Sequence, residues 1–294
     1  MAEENPMAAG RVVIVTGAGQ GLGREHALAF GIQGARVVVN DIGDAASAVA
    51  EEIRAAGGTA VASPGDVADW AYAQALVGKA VAEFGTLDAL VNNAGVNRDR
   101  MLVNMSEDEW DTVLRIDLKG HFAPMRHAAA FWRRCAKDGH PPAARIVNTT
   151  SGAGLMGSVG QGNYAAAKAG IAALTIVAAA EFARYGVTVN AIAPSARTPM
   201  TEPVFGEKMR PPESGFDAMH PGNVSPLVVW LASAESGDVT GRTFEVEGGV
   251  ISVADGWQHG PSIGKDGRWQ VAEIGGPLRE LLARAPAPAP AYGA

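Results

Sequence analysis

The stretch "RVVIVTGAGQGLGREHALAF", Arg11 to Phe30, decides the fold, because three kinds of residue follow one another in it. Val12 to Val15 are consecutively apolar and mostly β-branched, which reads as a short strand buried on both faces, since a half-exposed strand would alternate. Next comes a turn carrying Gly17, Gly21 and Gly23, then a segment of helical length. Glycines there let the backbone bend sharply and approach an anion, whose charge is welcomed by the exposed N–H groups of the helix start. Alone, such a turn is weak, since many are merely structural. Here it is answered by an acid, Asp41, at the end of the next β-branched run, "ARVVVND". A carboxylate at that point can accept hydrogen bonds from both hydroxyls of an adenosine ribose and would repel a 2′-phosphate. The pattern therefore predicts a dinucleotide site that prefers NAD to NADP. Gln20 and Ile42 supply no base for a 2′-phosphate, although Arg24 and Arg36 stand near in sequence.

Outward from this stretch, "TAVASPGDV", "LDALVNNAG", "ARIVNTTS", "GVTVNAIAPS" and "RTFEVEGG" read as further strands. Segments beginning at Leu22, Ala45, Asp69, Ser106, Gln161 and Asn223 have helical length and composition between them. Repeated β-α-β units predict an α/β, doubly wound Rossmann fold, a seven-stranded parallel sheet flanked by helices in a single domain. The expected organisation is an extension over 1–10, the domain over 11–256, and a C-terminal extension over 257–294 with a Pro/Ala-rich tail, "APAPAPAYGA". Residues 198–221 are too irregular for a core element and read as a lid.

Bulk properties bound the class. The chain has 294 residues, is 47% hydrophobic and 19% charged, and carries a formal charge of −7, which argues against a general binder of nucleic acid or acidic membranes. Cys135 is its single cysteine, so no disulfide closes within the chain, in keeping with a reducing cytosol. The acidic start "MAEENPMAAGR" lacks the apolar core of a secretory signal. The run "IAALTIVAAA" is too short to span a bilayer. A soluble, cytoplasmic protein with a small-molecule substrate is expected.

In "GNYAAAK", Tyr164 and Lys168 stand four residues apart with only alanine between, so on a helix they lie side by side. Taken alone, this spacing occurs by chance on many solvated helices. Together with "TGAGQGLG", with "NNAG" (Asn92 to Gly95) and with Ser151 thirteen residues before Tyr164, it resembles the short-chain dehydrogenase/reductase family, from about Arg11 to Gly256. The resemblance implies that Gly17, Gln20, Gly21, Leu22 and Gly23 form the cofactor-binding turn. Asp66 and Val67 would meet the adenine, and Asn93, Ala94 and Gly95 would back the ribose. Pro194 would bind the cofactor and Thr198 would face its carboxamide, while Ser151, Tyr164 and Lys168 would be catalytic, Tyr164 and Lys168 also touching the cofactor.

A narrower likeness, in "VVVNDIG", "NNAGVNRDRML", "DEWDTVLRIDLKGHF", "GQGNYAAAKAG", "VNAIAPSARTPMT" and "SPLVVWLAS", is to the (3R)-hydroxyacyl-CoA dehydrogenase domain of multifunctional β-oxidation enzymes. It implies an NAD-dependent oxidoreductase of lipid metabolism, interconverting a secondary alcohol and a ketone on a 3-hydroxyacyl thioester. The alternatives are a steroid or other apolar hydroxy compound as substrate, or a non-catalytic dinucleotide sensor. A sensor has no need of Ser151, Tyr164 and Lys168 together. Two positions depart from the family pattern. Asp117, counted with the catalytic residues by this resemblance, replaces the usual Asn, which helps hold a water that relays protons to the lysine, and Ser195 stands where Gly is more usual.

The chemistry follows from elementary acidity. A free tyrosine has a pKa near ~10, and a neighbouring cation favours the phenolate. Lys168 supplies that cation, so Tyr164 can take a proton from a substrate hydroxyl while Ser151 holds the substrate oxygen. The small residues around Tyr164 would let another helix approach closely, and the family resemblance implies a homotetramer or dimer paired through it. His26, His121, His127 and His140 lack metal-ligand spacing, so no metal is expected. Cys135, Trp110, Trp132, Trp230 and the methionines read as packing residues. Met156, Gln161, Phe205 and Met209 are candidates for the substrate wall.

Overall fold

All seven expected runs become strands of one sheet in the computed structural model, which describes residues 6–202, 206–207, 209–254 and 256–293. They are β1 (Val12–Val15), β2 (Arg36–Asp41), β3 (Thr59–Pro64), β4 (Ala89–Asn92), β5 (Ala144–Thr149), β6 (Val187–Ser195) and β7 (Thr243–Glu247). These seven run parallel. An eighth strand, β8 (Val250–Ala254), corrects the expected count and lies antiparallel on β7, in the order β3-β2-β1-β4-β5-β6-β7-β8. The reason is local. Glu247 pairs with Val250, so Gly248 and Gly249 form a two-residue turn, and Gly248 has the positive φ of +56° that such hairpins favour. So short a connection cannot carry the crossover that a parallel pairing needs.

Nine helices are described: α1 (Gly21–Ile32), α2 (Ala45–Ala55), α3 (Trp70–Phe84), α4 (Glu107–Val113), α5 (Gly120–Lys137), α6 (Gly152–Met156), α7 (Gly162–Phe182), α8 (Ser225–Leu231) and α9 (Gly275–Arg284). They make two cores, one on each face of the sheet. Val13 and Val15 of β1 join Phe30, Val37, Ile53 and Leu231 in one. Val12 and Ile14, pointing the other way, join Leu76, Leu90, Trp132, Ile146 and Val189 in the second. This double burial is why β1 is apolar without alternation. Because β1 pairs with both β2 and β4, the connections beyond its carboxyl end diverge and open a crevice there.

Three local features bear on the site. A capping box between Ser106 and Glu109 starts α4 as expected, but residues Leu114–Lys119 then wind as a π-helix before α5. That wider turn carries Asp117, which is 0% exposed. The irregular segment 198–221 is anchored where it is described: Arg197 pairs with Asp217, donates to the Met209 carbonyl at 2.6 Å, and gives its backbone N–H to the Met219 carbonyl. Phe205 lies outside the described residues. Past Gly256 the chain makes a 3-10 turn (Val271–Glu273) and α9, and the Ala-Pro tail then returns to the body of the protein.

The apolar run expected to be too short for a membrane sits in a longer helical stretch, Gly162–Tyr185, which by length and composition could cross one. It lies along β5 and β6, with Asn163, Lys168 and Thr175 buried and hydrogen-bonded on its inner side.

Candidate active site

Backbone contact closes the floor of the crevice. Gly17 has φ +61°, and a Cβ there would stand 2.7 Å from the Ala94 α-carbon, so the ends of β1 and β4 meet more closely than any side chain permits. Asn93 fixes this contact by donating from its side chain to the Thr16 and Gly17 carbonyls at 3.0 and 3.1 Å. The Thr16 hydroxyl accepts the N–H groups of Asn93 and Ala94 in return. A side chain at Gly23 would collide with the Gly17 carbonyl, so that glycine serves the packing of α1 on the turn. No side chain caps α1 and no acid occupies its first turn, which leaves its N–H groups to a ligand anion.

Asp41, at the end of β2, accepts the Gly19 N–H at 2.8 Å and the Ile42 N–H at 2.7 Å. Its carboxylate thus braces the glycine turn as well as facing the cleft. Asn40 beside it donates to the Ser63 and Gly65 carbonyls and to the Tyr72 hydroxyl, tying the end of β2 to that of β3. Asp66 accepts the Ala68 N–H at 2.8 Å and pairs with Arg115 at 2.6 Å. Burial would raise its pKa, but these hydrogen bonds and the charges of Arg115 and Lys119 outweigh it and hold the carboxyl below its usual range.

At the other end, α7 presents Tyr164 and Lys168. Asn163 orients the start of that helix: it donates to the Arg98 and Glu109 carbonyls and accepts the Tyr164 N–H. The Lys168 Nζ lies 5.4 Å from the centre of the Tyr164 ring and donates to the Thr149 carbonyl at 3.0 Å. Behind it, 3.4 Å away, is Asp117 Oδ2, while Asp117 Oδ1 accepts the Val96 N–H at 2.8 Å. Burial raises the Asp117 pKa, opposed by the Lys168 charge and the Val96 hydrogen bond. Ser151 caps α6, its hydroxyl accepting the Ala153 N–H at 3.2 Å.

One cavity of about 330 Å³ runs between these ends. Its wall includes Gly17, Gln20, Gly21 and Leu22 of the turn, Asp41, Asp66 and Val67, Asn93 to Gly95, and then Tyr164, Lys168, Pro194 and Thr198. Gly23, Ser151 and Asp117 are not on it: Gly23 packs beneath, Ser151 stands at the α6 start, and Asp117 sits behind Lys168. Asn40, Ile116, Thr149 and Thr150, none of them expected there, are on the wall. The polar run "NTTS" at the end of a buried strand was the available signal, and Thr150 secures α7 by donating to the Lys168 carbonyl at 2.6 Å. Met156, Gln161 and Met209 do not line this cavity; Gln161 instead donates to Asp99.

The residues present fit a nicotinamide dinucleotide: an uncapped helix start against a turn too close for side chains, and an acid one strand away. A family model for the short chain dehydrogenases matches residues 11–208. The hydroxyacyl-CoA dehydrogenase ChsB1 of Mycobacterium tuberculosis is 47% identical over 93% of this chain and 89% of its own length. The peroxisomal multifunctional enzyme type 2 of Mus musculus is 42% identical over 89% of this chain, which spans 33% of that longer protein. The crystal structure of a short chain dehydrogenase from Mycobacterium avium superposes with a TM-score of 0.91 at 61% identity, covering 98% of this chain and all of that one.

Proposed function

Because the chain belongs to the short-chain dehydrogenase family, we propose that it oxidises a 3-hydroxyacyl thioester with NAD in the cleft between β1 and β4. It is an oxidoreductase that interconverts a secondary alcohol and a ketone, using a nicotinamide dinucleotide. The observation that carries the finer reading is the placement of Tyr164 beside Lys168 at one end of a cavity whose other end is Asp41. The thioester is supported by a similar protein named as a hydroxyacyl-CoA dehydrogenase.

NAD over NADP is supported by charge. Asp41 presents an anion where a 2′-phosphate would lie. Arg24 is committed to Glu25 and Glu52, and Arg36 to the Gly10 and Phe84 carbonyls, so neither of the nearby bases is turned to that phosphate.

When bound, the dinucleotide takes up or supplies the hydride. The chain's own residues handle the proton and the position of the substrate. Tyr164 accepts the proton of the substrate hydroxyl in oxidation and returns it in reduction. The fixed Lys168 ammonium favours the phenolate, and the Thr149 carbonyl and Asp117 hold that ammonium in place. Ser151, at the start of α6, holds the substrate oxygen.

The same proposal includes a homotetramer or dimer in the cytoplasm, with the unit over 11–256 as its catalytic domain. Its support is the outward stripe of α7, where Ala166, Ala169, Ala173, Ile176, Val177 and Ala180 are exposed and entirely apolar. A second copy of that helix would cover it at close range. The decisive experiment follows absorbance of the reduced cofactor while 3-hydroxyacyl-CoA, steroid and small-alcohol panels are offered with NAD. Turnover of the thioesters above the others is expected. Turnover of steroids alone would replace the substrate class, and no turnover with any panel would leave a dinucleotide sensor.

A further inference from the structure

After α9 the chain turns back to the body of the protein. Tyr292 donates its N–H to the Gly157 carbonyl at 3.1 Å, and its own carbonyl accepts the Val159 N–H at 2.9 Å, so that it bridges in parallel with Ser158. Its ring lies on Gly152: a Cβ added there would stand 3.0 Å from both ring carbon Cε2 and the phenolic oxygen. Gly152 follows Ser151 directly, and residues 151–164 join the substrate-holding serine to Tyr164. None of the tail's described hydrogen bonds goes to the glycine turn or to Asp41.

Two properties of sequence make this docking purposeful. The segment it meets contains Gly152, Gly154, Gly157, Gly160 and Gly162, and so has much conformational entropy to lose beside Ser151. Two backbone hydrogen bonds and an aromatic ring supply the restraint that side chains there cannot. The alternating Ala-Pro run of 285–291 is a semi-rigid extended spacer, which delivers Tyr292 at a set distance from α9 with little entropy left to lose. Around the seat, Met156, Val159 and Tyr292 keep 41%, 48% and 51% of their surfaces exposed, an apolar strip with no covering group among the described residues.

We propose that the tail completes the substrate end of the site and that Tyr292 determines specificity, its ring extending Met156 and Val159 into a platform for the apolar part of the substrate beside Ser151. The inference rests on the reading of the chain as a dehydrogenase of 3-hydroxyacyl thioesters. The acyl chain of the thioester, running out of the cavity past Ser151, would cover the strip, while the reacting hydroxyl reaches Ser151 and Tyr164.

The test uses the full-length protein and two variants, Tyr292→Ala and Tyr292→Phe. Three quantities are read: NADH affinity by fluorescence, kcat and KM for short- and long-chain 3-hydroxyacyl-CoA, and hydrogen exchange at the Val159 amide. Tyr292→Ala should raise KM for the long-chain substrate about five- to tenfold, with kcat and NADH affinity unchanged and a much smaller effect on the short chain. Val159 should exchange faster in it, and Tyr292→Phe should match the wild type in every respect. Equal loss on both chain lengths, weakened NADH binding, or a Tyr292→Phe as damaged as Tyr292→Ala would overturn the specificity role. If the wild type turns over no thioester, the thioester reading fails instead. In that case unchanged Val159 exchange in Tyr292→Ala still overturns the tail's role, and faster exchange upholds its docking.

Discussion

Asp117 stands 3.4 Å from the Lys168 ammonium, with the two side chains 0% and 3% exposed, so the cation beside Tyr164 is itself held against a buried anion. The π-turn between α4 and α5 makes this possible by carrying Asp117 inward, where Val96 donates to its other oxygen. Asp117 touches Lys168 and not the cavity wall, so it bears on the reaction by holding that lysine and by the charge it places near Tyr164.

The first prediction concerns this pair. An anion near Tyr164 opposes the phenolate, so Asp117→Asn should move the pH profile of kcat/KM to lower pH while the maximal rate stays within a few-fold. Lys168 keeps its hydrogen bond to the Thr149 carbonyl in the variant, which preserves its position. The profiles are compared with one substrate at saturating NAD. An upward shift, or a rate loss as large as that of removing the base, would make Asp117 a member of the proton relay itself.

The second prediction concerns the base. Tyr164→Phe keeps the ring that faces Lys168 and removes the oxygen, so turnover should fall by about 10² or more. NAD binding, measured by fluorescence titration, should survive, because the turn, Asp41 and Lys168 are untouched. Near-normal turnover would refute the assignment of Tyr164.

Cofactor choice gives the third. The wild type should bind NAD at least tenfold tighter than NADP, about 1.4 kcal/mol. Since Asp41 also accepts the Gly19 and Ile42 N–H groups, Asp41→Ala should weaken NAD through the loosened turn and at the same time narrow the gap to NADP. Titration of both dinucleotides against both proteins reads the two effects separately. Equal affinities in the wild type would defeat the charge argument.

The sequence showed what is written in consecutive side chains. Val12 to Val15 read as a doubly buried strand because both faces of β1 are covered, whereas in "NTTS" only Ser151 declares itself, and Thr149 and Thr150 do not. It did not show what depends on backbone geometry or on distant partners. The π-turn is invisible because Leu114 to Lys119 have no unusual composition, so a helix starting at Ser106 reads straight through Asp117. β8 is hidden by the Gly248-Gly249 turn, which reads as the end of the seventh strand and is a hairpin. The tail "APAPAPAYGA" has the composition of a free extension, and only the fold brings Tyr292 to Gly152. Among the wall residues, Asn40 was missed because its role is to join two strand ends.

The last prediction concerns acid stability. His26, on α1, is fully buried; its Nδ1 lies 2.9 Å from the Ser225 hydroxyl at the start of α8, and its Nε2 has no partner among the described residues. Burial lowers its pKa from 6.5 to about 3. His121, equally buried, is held well below its usual value by burial and then by the Lys168 charge. A histidine lowered in the folded state leaves the unfolded chain to bind the extra proton. The stability His26 contributes is therefore complete above the unfolded value and lost as pH falls from about 6.5 toward 3, by up to about 1.4 kcal/mol per pH unit. His26→Leu removes the titration at similar volume, and adding Ser225→Ala spares a buried hydroxyl without a partner. Urea unfolding at pH 7, 6, 5 and 4.5, at fixed protein concentration, should show the double variant losing less stability toward low pH than the wild type, its slope smaller by about one proton. The remaining slope belongs to His121 and His127 and, at the acid end, to carboxyls such as Asp66 that are held below their usual range. Parallel curves for the two proteins would mean that His26 already takes up its proton in the folded state, and that the contact between α1 and α8 opens to water.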